Sequence, residues 1–204
     1  HHWKAQCREM LDIAESPGVP EPPGLASPRS HCPSCKNTLR AVHNIPVLGY
    51  LFLAGKCGFC GERISIRYPV VELGTALLWV LLGLTMGTGW PLIFALLFVS
   101  CLVTLTLIDL DHQLLPDNIV LPLLWIGLLV NSTGMFTDLY AAVIGAVMGY
   151  MVLWTIYQVH HRLTGKEGMG YGDFKLLACI GAWLGWESLP VVILLASITG
   201  TIFA

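Results

Sequence analysis

Asp109 and Asp173 each border a strongly apolar stretch, in Leu107-Ile108-Asp109-Leu110-Asp111-His112 and in Gly170-Tyr171-Gly172-Asp173-Phe174-Lys175. An ionisable group at membrane depth costs roughly 2.5–3.5 kcal/mol or more, so a carboxylate there is read as functional. Two carboxylates brought close cannot both ionise cheaply; they share a proton, and one pKa rises. The ionised member can then activate water while the protonated one polarises a peptide carbonyl, which is aspartyl proteolysis. Asp111 and Asp117 could in principle partner Asp173 instead. If the helix before it continues, Asp109 is the carboxylate nearest the apolar core, with Asp111 about 200° around at 100° per residue. Asp117, after Pro116 and before Asn118, suits a helix cap. The plain alternative for Asp173 is likewise a cap on the helix that follows it. His112 suggests a metal or proton relay, although a single histidine is more often an ordinary polar residue.

Glycines precede Asp173 as G-x-G-x-G-D, with no strand pattern before them and no Gly-Lys-Ser/Thr, which argues against a nucleotide loop. Gly170 and Gly172 let backbone come close to the carboxylate. Lys175 follows within the same motif. Glu72, in Arg67-Tyr68-Pro69-Val70-Val71-Glu72, sits near the start of the first apolar run and reads either as the partner of a basic residue or as a further site carboxylate. Cys32-x-x-Cys35 and Cys57-x-x-Cys60 are paired knuckles. Four thiolates in two tight turns suit tetrahedral zinc, closed and therefore structural. Disulfides or free thiols are the alternative, and a cytoplasmic location disfavours disulfides. Cys7, Cys101 and Cys179 have no paired spacing and read as packing residues.

The elements that must hold these groups are membrane helices. The chain of 204 residues is 55% hydrophobic and 12% charged, with mean hydropathy +0.69, against about 25% charged residues in a soluble domain. Residues 1–67 are polar and proline-rich and form a loop domain; 68–204 break into about six apolar segments, near 69–87, 91–108, 119–136, 139–158, 174–186 and 188–204. Several are long enough for the ~20 residues that cross a bilayer. Net charge −2 and pI ≈ 6.4 give no pointer to nucleic acid. Eight of the 11 Lys and Arg precede the first apolar run, and the other three, Arg162, Lys166 and Lys175, surround Asp173. Basic loops stay cytoplasmic, so 1–67 and 159–175 share the cytoplasmic side, four crossings separate them, and Asp109 falls on that same face. The opening His1-His2, and an end inside an apolar segment, lead to the expectation of a fragment lacking a span at one or both ends.

Taken in order, the two knuckles, Arg67-Tyr68-Pro69-Val70-Val71-Glu72, Asp109-x6-Pro116-Asp117 and Gly170-Tyr171-Gly172-Asp173-Phe174-Lys175 resemble the bacterial type IV prepilin peptidases, across nearly all of 30–204. The resemblance implies an all-α polytopic aspartyl protease of the GxGD class with a small cytoplasmic zinc-binding loop. It places the catalytic pair at Asp109 and Asp173, with Gly170, Gly172, Lys175, Asp111 and Glu72 in support and zinc on Cys32, Cys35, Cys57 and Cys60. It implies the bacterial inner membrane and cytoplasmic cleavage of the basic leader of type IV prepilins or secretion pseudopilins. N-methylation of the new terminus from S-adenosylmethionine is also implied. Relative to that family the chain is expected to lack the span before the zinc loop and part of the C-terminal region. Two other classes stand beside this reading: a proton-coupled transporter, for which internal repeats and mid-membrane helix breaks would be the sign, and a non-catalytic scaffold that docks a secretion ATPase through its zinc loop.

Overall fold

The computed structural model describes residues 30–165 and 170–203; Cys7, Lys166 and Gly168 lie outside them. The chain divides into two units, His1–Gly74 and Thr75–Ala204.

The first unit, over its described residues, is a pair of knuckles joined by a short 3₁₀ turn, Ala41–Asn44, and helix α1, Leu48–Phe52. Too few apolar residues converge here to form a core. Only Cys32, Gly49 and Cys57 of residues 30–74 are buried wherever a side chain is described. Helix α2, Arg67–Met86, begins in this unit.

The second unit is helical: α3 Trp90–His112, α4 Asp117–Asn131, α5 Leu139–Thr164, α6 Tyr171–Leu184 and α7 Leu189–Phe203. By length and composition α2, α3 and α5 can each cross a membrane, and α4 is a shorter apolar helix. Their outward faces are apolar, as lipid contact requires.

Packing concentrates on α6, which lies against α5 and α4. The backbones meet closely at glycine. A Cβ at Gly145 would run into the Gly181 carbonyl, one at Gly181 into that of Gly145, and one at Gly149 would lie 2.6 Å from the Leu177 carbonyl oxygen. Helices in lipid associate by such close packing of small residues. On the other side Trp183 fills the core with Phe98, Leu105, Val120, Leu123 and Cys179. Its ring stacks on Phe98 at 4.6 Å and lies over Gly127, while its Nε1 donates to the Leu123 carbonyl at 2.8 Å. Cys101 packs beside this cluster, so it and Cys179 are packing residues, as expected.

The expected span 119–136 is corrected: α4 ends at Asn131. The Asn131 side chain, fully buried, takes over the following backbone. Its Oδ1 accepts from the N–H groups of Phe136 and Thr137 at 3.1 and 3.2 Å. Its Nδ2 donates to the carbonyls of Ala182 and Trp183, both at 2.9 Å. An amide with its donors and acceptor engaged is a stable buried group, and it turns the chain where an apolar run alone predicts continuation.

Candidate functional site

Asp109 stands in the last turn of α3, which runs on through Asp111 and His112. Gln113 then adopts a left-handed conformation (φ 52°) and returns its N–H to the Asp109 carbonyl at 2.7 Å, a helix-ending bond that fixes the Asp109 backbone. Four residues later α4 begins. Asp173 lies in the first turn of α6, ahead of the apolar stretch 174–186. It is not the cap: Gly170 holds that position, and no side chain caps the helix.

Two contacts tie the segments that carry these aspartates. A Cβ at Gly172 would come within 2.9 Å of the Leu115 side chain, so glycine is what lets the start of α6 reach the α3–α4 linker. Lys175 Nζ donates to both carboxylate oxygens of Asp117, at 2.8 and 2.7 Å. This corrects the expectation of a cap at Asp117. Asp117 does not cap α4, whose N-cap is Pro116 with no side-chain bond; it receives the Lys175 ammonium, which therefore braces the linker after Asp109. A bidentate ammonium–carboxylate contact is the stronger kind of hydrogen bond.

Both catalytic candidates are exposed at the protein surface, and they interact. Partial desolvation of the carboxyl where α6 begins, and after it the negative charge of Asp109, push Asp173 above its ordinary value. A carboxyl raised by a neighbouring carboxylate is the direction a proton-sharing pair needs. Gly170 leaves open the space beside Asp173, where a Cβ would lie 4.0 Å from its Oδ2. Residues that the motif spacing did not single out pack α6 behind the site. Tyr171 and Phe174 flank Asp173 in sequence and meet Tyr157 of α5 with ring centroids 5.5 and 5.7 Å apart. Aromatics two residues before the aspartate and one after it were the available signal. An apolar groove of about 290 Å³ lies between α2 and α3, lined by Leu78, Val99, Leu102, Val103, Thr106 and Leu107, and ends within one turn of Asp109.

Glu72 belongs to the first unit and holds the backbone there. Its Oε2 accepts the Val47 N–H at 2.7 Å. Val47 has φ 60°, an unusual conformation for a β-branched residue, and Glu72 secures it at the start of α1.

The two knuckles repeat each other bond for bond. Cys32 N donates to Asn37 O and Cys57 N to Glu62 O, five residues on in each case; Lys36 N returns to Cys32 O and Gly61 N to Cys57 O, four residues on. Lys36 and Gly61 are both left-handed, at φ 59° and 72°. Isolated bridges, His31 with Thr38 and Lys56 with Arg63, close the two loops. The four sulfurs lie within 4.8 Å of one another, and Cys32 Sγ is 3.9 Å from Cys60 Sγ. Zinc–sulfur bonds of ~2.3 Å place tetrahedral ligands about 3.8 Å apart, so this cluster could hold a metal ion of that size. Backbone N–H groups of Cys35 and then Ser34 lower the Cys32 thiol to about 6. Those of Cys60 and then Phe59 lower Cys57. Against the Glu62 N–H, burial and the neighbouring thiols raise Cys60 to about 12. Backbone donors favour thiolate at Cys32 and Cys57, crowding opposes it at Cys60, and a cation would resolve that conflict.

The fold and site define a class first: a polytopic helical membrane protein with a paired-carboxylate site and a separate four-cysteine knuckle unit. A profile described as the Type IV leader peptidase family matches residues 96–204, and one described as the Bacterial Peptidase A24 N-terminal domain matches residues 15–86. A protein of Aeromonas hydrophila named prepilin leader peptidase/N-methyltransferase is 54% identical over 97% of this chain and 68% of its own length. Relatives of the same name from Pseudomonas aeruginosa and Neisseria gonorrhoeae are 49% and 45% identical, over 98% and 99% of this chain and 69% and 71% of theirs. No solved structure is significantly similar. The chain belongs to the type IV leader peptidase family.

Proposed function

We propose that the chain is a membrane-embedded aspartyl endopeptidase that removes the leader of type IV prepilins or related pseudopilins, through Asp109 and Asp173, and that it N-methylates the exposed terminus. The observation that carries the reading is the coupling of the two carboxylates on segments braced by Gly172–Leu115 and Lys175–Asp117.

Asp173, the acid of raised pKa, enters protonated, and Asp109 enters ionised. Asp109 takes a proton from water as the water oxygen bonds to the scissile carbonyl carbon, and Asp173 gives its proton to the carbonyl oxygen. As the tetrahedral diol collapses, Asp109 passes its proton to the departing amine and Asp173 recovers one from the diol. Both carboxyls end in their starting states, as a general acid–base pair must. The apolar groove lined by Thr106 and Leu107, within one helical turn of Asp109 in sequence, suits apolar side chains of the substrate's membrane segment, and the scissile bond lies where that segment meets the polar leader.

Cys32, Cys35, Cys57 and Cys60 hold one structural zinc. S-adenosylmethionine supplies the methyl group for the second activity. The basic segments put the zinc loop and both aspartates on the cytoplasmic face of the bacterial inner membrane. In this reading 1–67 is the zinc-loop domain and 68–204 the protease core, with Asp111, Gly170 and Lys175 supporting the pair and Glu72 supporting the loop. The test incubates the purified chain with a prepilin and reads product masses, which resolve cleavage and methylation in one spectrum. An intact substrate mass after incubation with well-folded protein would overturn the proposal.

A further inference from the structure

The short helix α1 turns its apolar side outward. Leu48, Leu51 and Phe52 stand at i, i+3 and i+4, one face of a helix, and are 50%, 64% and 75% exposed; Val42 and Ile45, just before them, are 59% and 41% exposed. The side turned inward is Gly49, where a Cβ would run into the His43 carbonyl. An apolar stripe on so small a unit marks a contact surface.

Charge and tether identify what it meets. Arg40 and Lys56 bracket the stripe, no acidic residue occurs from 40 to 61, and residues 30–74 carry Lys36, Arg40, Lys56, Arg63 and Arg67 against Glu62 and Glu72, a net of +3 (five minus two). Fifteen residues after Phe52, α2 begins at Arg67 and is long enough to cross a bilayer, so the unit is tethered to a membrane surface. A second copy of the same stripe would bring Arg40 and Lys56 against their own equivalents, which like charge disfavours. An apolar face rimmed with Lys and Arg matches the boundary between acyl chains and anionic headgroups.

We propose that the stripe Val42, Ile45, Leu48, Leu51 and Phe52 seats the knuckle unit in the headgroup layer of an anionic bilayer, with Arg40 and Lys56 on lipid phosphates. The proposal does not depend on the proteolytic role of the aspartates. The test uses the full chain reconstituted in phosphatidylethanolamine vesicles with or without phosphatidylglycerol, carrying a benzophenone amino acid at position 51 or 52, or at exposed Asn37 as control. After irradiation, mass spectrometry identifies each adduct. Lipid adducts at 51 and 52 should far exceed those at 37, and should fall by roughly five-fold for each charge removed in Lys56→Gln or Arg40→Gln, with the metal content of each variant unchanged. Omitting phosphatidylglycerol from vesicles of the unsubstituted-charge protein should weaken the adducts in the same sense. Adducts to a second copy or to another protein, or lipid labelling at 51 and 52 no greater than at 37, would overturn it.

Discussion

The knuckle unit and the helical unit each hold a handful of polar side chains in register, by opposite means. In the first, the buried residues among those described are Cys32, Cys57 and one glycine; the backbone is shaped by turns, and what brings the two turns together is a cluster of four thiols that could hold a metal ion. In the second, the polar groups sit at the ends of helices whose positions are set elsewhere, by Gly145 against Gly181 and by Trp183 over Gly127. One is organised around its site; the other is organised first and presents its site at an edge. A site of the first kind should fail as a whole when one ligand is lost, whereas a site of the second kind should lose chemistry without losing shape.

That difference can be broken at the aspartates first. Asp109→Asn and Asp173→Asn should each lower prepilin cleavage by on the order of 10²–10⁴-fold or beyond, with thermal stability in detergent and metal content unchanged, while Asp111→Asn retains activity. Substantial cleavage by Asp109→Asn at matched membrane abundance would remove it from the pair. The converse experiment is metal removal. Chelation, or Cys57→Ser, should abolish the order of residues 30–66, read as a gain in protease sensitivity confined to that segment, with cleavage altered in efficiency and the helical unit intact. Bound zinc at one per chain, by elemental analysis, checks the premise. A third change acts on the frame: Gly145→Ala or Gly181→Ala should cost about 1–3 kcal/mol of helical-unit stability through backbone clash, leaving zinc content untouched. The smallest effect belongs to the brace. Lys175→Gln should reduce stability or rate by no more than a few-fold, since a partly exposed ion pair is worth about 0–1 kcal/mol, and the exchange of Lys175 with Asp117 should restore part of the loss.

The pH dependence follows from the sign of one shift. Because Asp173 is raised and serves as the protonated partner, cleavage should decline as pH rises through its pKa. In Asp109→Asn the neighbouring negative charge is gone, ionisation of Asp173 becomes easier, and its titration, followed by isotope-edited infrared spectroscopy, should move to lower pH. An unchanged titration would show that the two carboxylates do not meet.

Sequence alone was most informative where chemistry is encoded in short spacing. The two C-x-x-C pairs, carboxylates at the edges of apolar runs and glycines before Asp173 all declare themselves within a few residues. The helical class followed from hydropathy, and the structure agrees. What escaped was decided over distance. Asp117 beside Pro116 looks like a cap because capping is local; its bond to Lys175 spans 58 positions. Glu72 near a basic cluster gives no hint of Val47, 25 positions earlier, whose backbone N–H it accepts in that residue's unusual conformation. The third apolar run, 119–136, reads as one continuous helix, and one polar side chain at 131 ends it early. Gly145 and Gly149 display the small-residue spacing of a helix contact, but nothing local names Gly181 and Leu177 as the surfaces they meet.

The bonding of Asn131 also carries an order of assembly. Its carbonyl oxygen is satisfied by Phe136 and Thr137, five and six positions away, and closure over so short a distance is available as soon as that turn has been synthesised. Its amide protons are claimed by Ala182 and Trp183, 51 and 52 positions on, so they stay unclaimed by those carbonyls until the end of α6 has been made and inserted. The α4–α5 hairpin is thus a half-finished receptor during biogenesis, with two hydrogen-bond donors waiting in an apolar setting for the helix that follows it. Docking of α6 is therefore the step that commits the nascent protein, and because Asp173 rides on that helix, the carboxylate pair is completed in the same event.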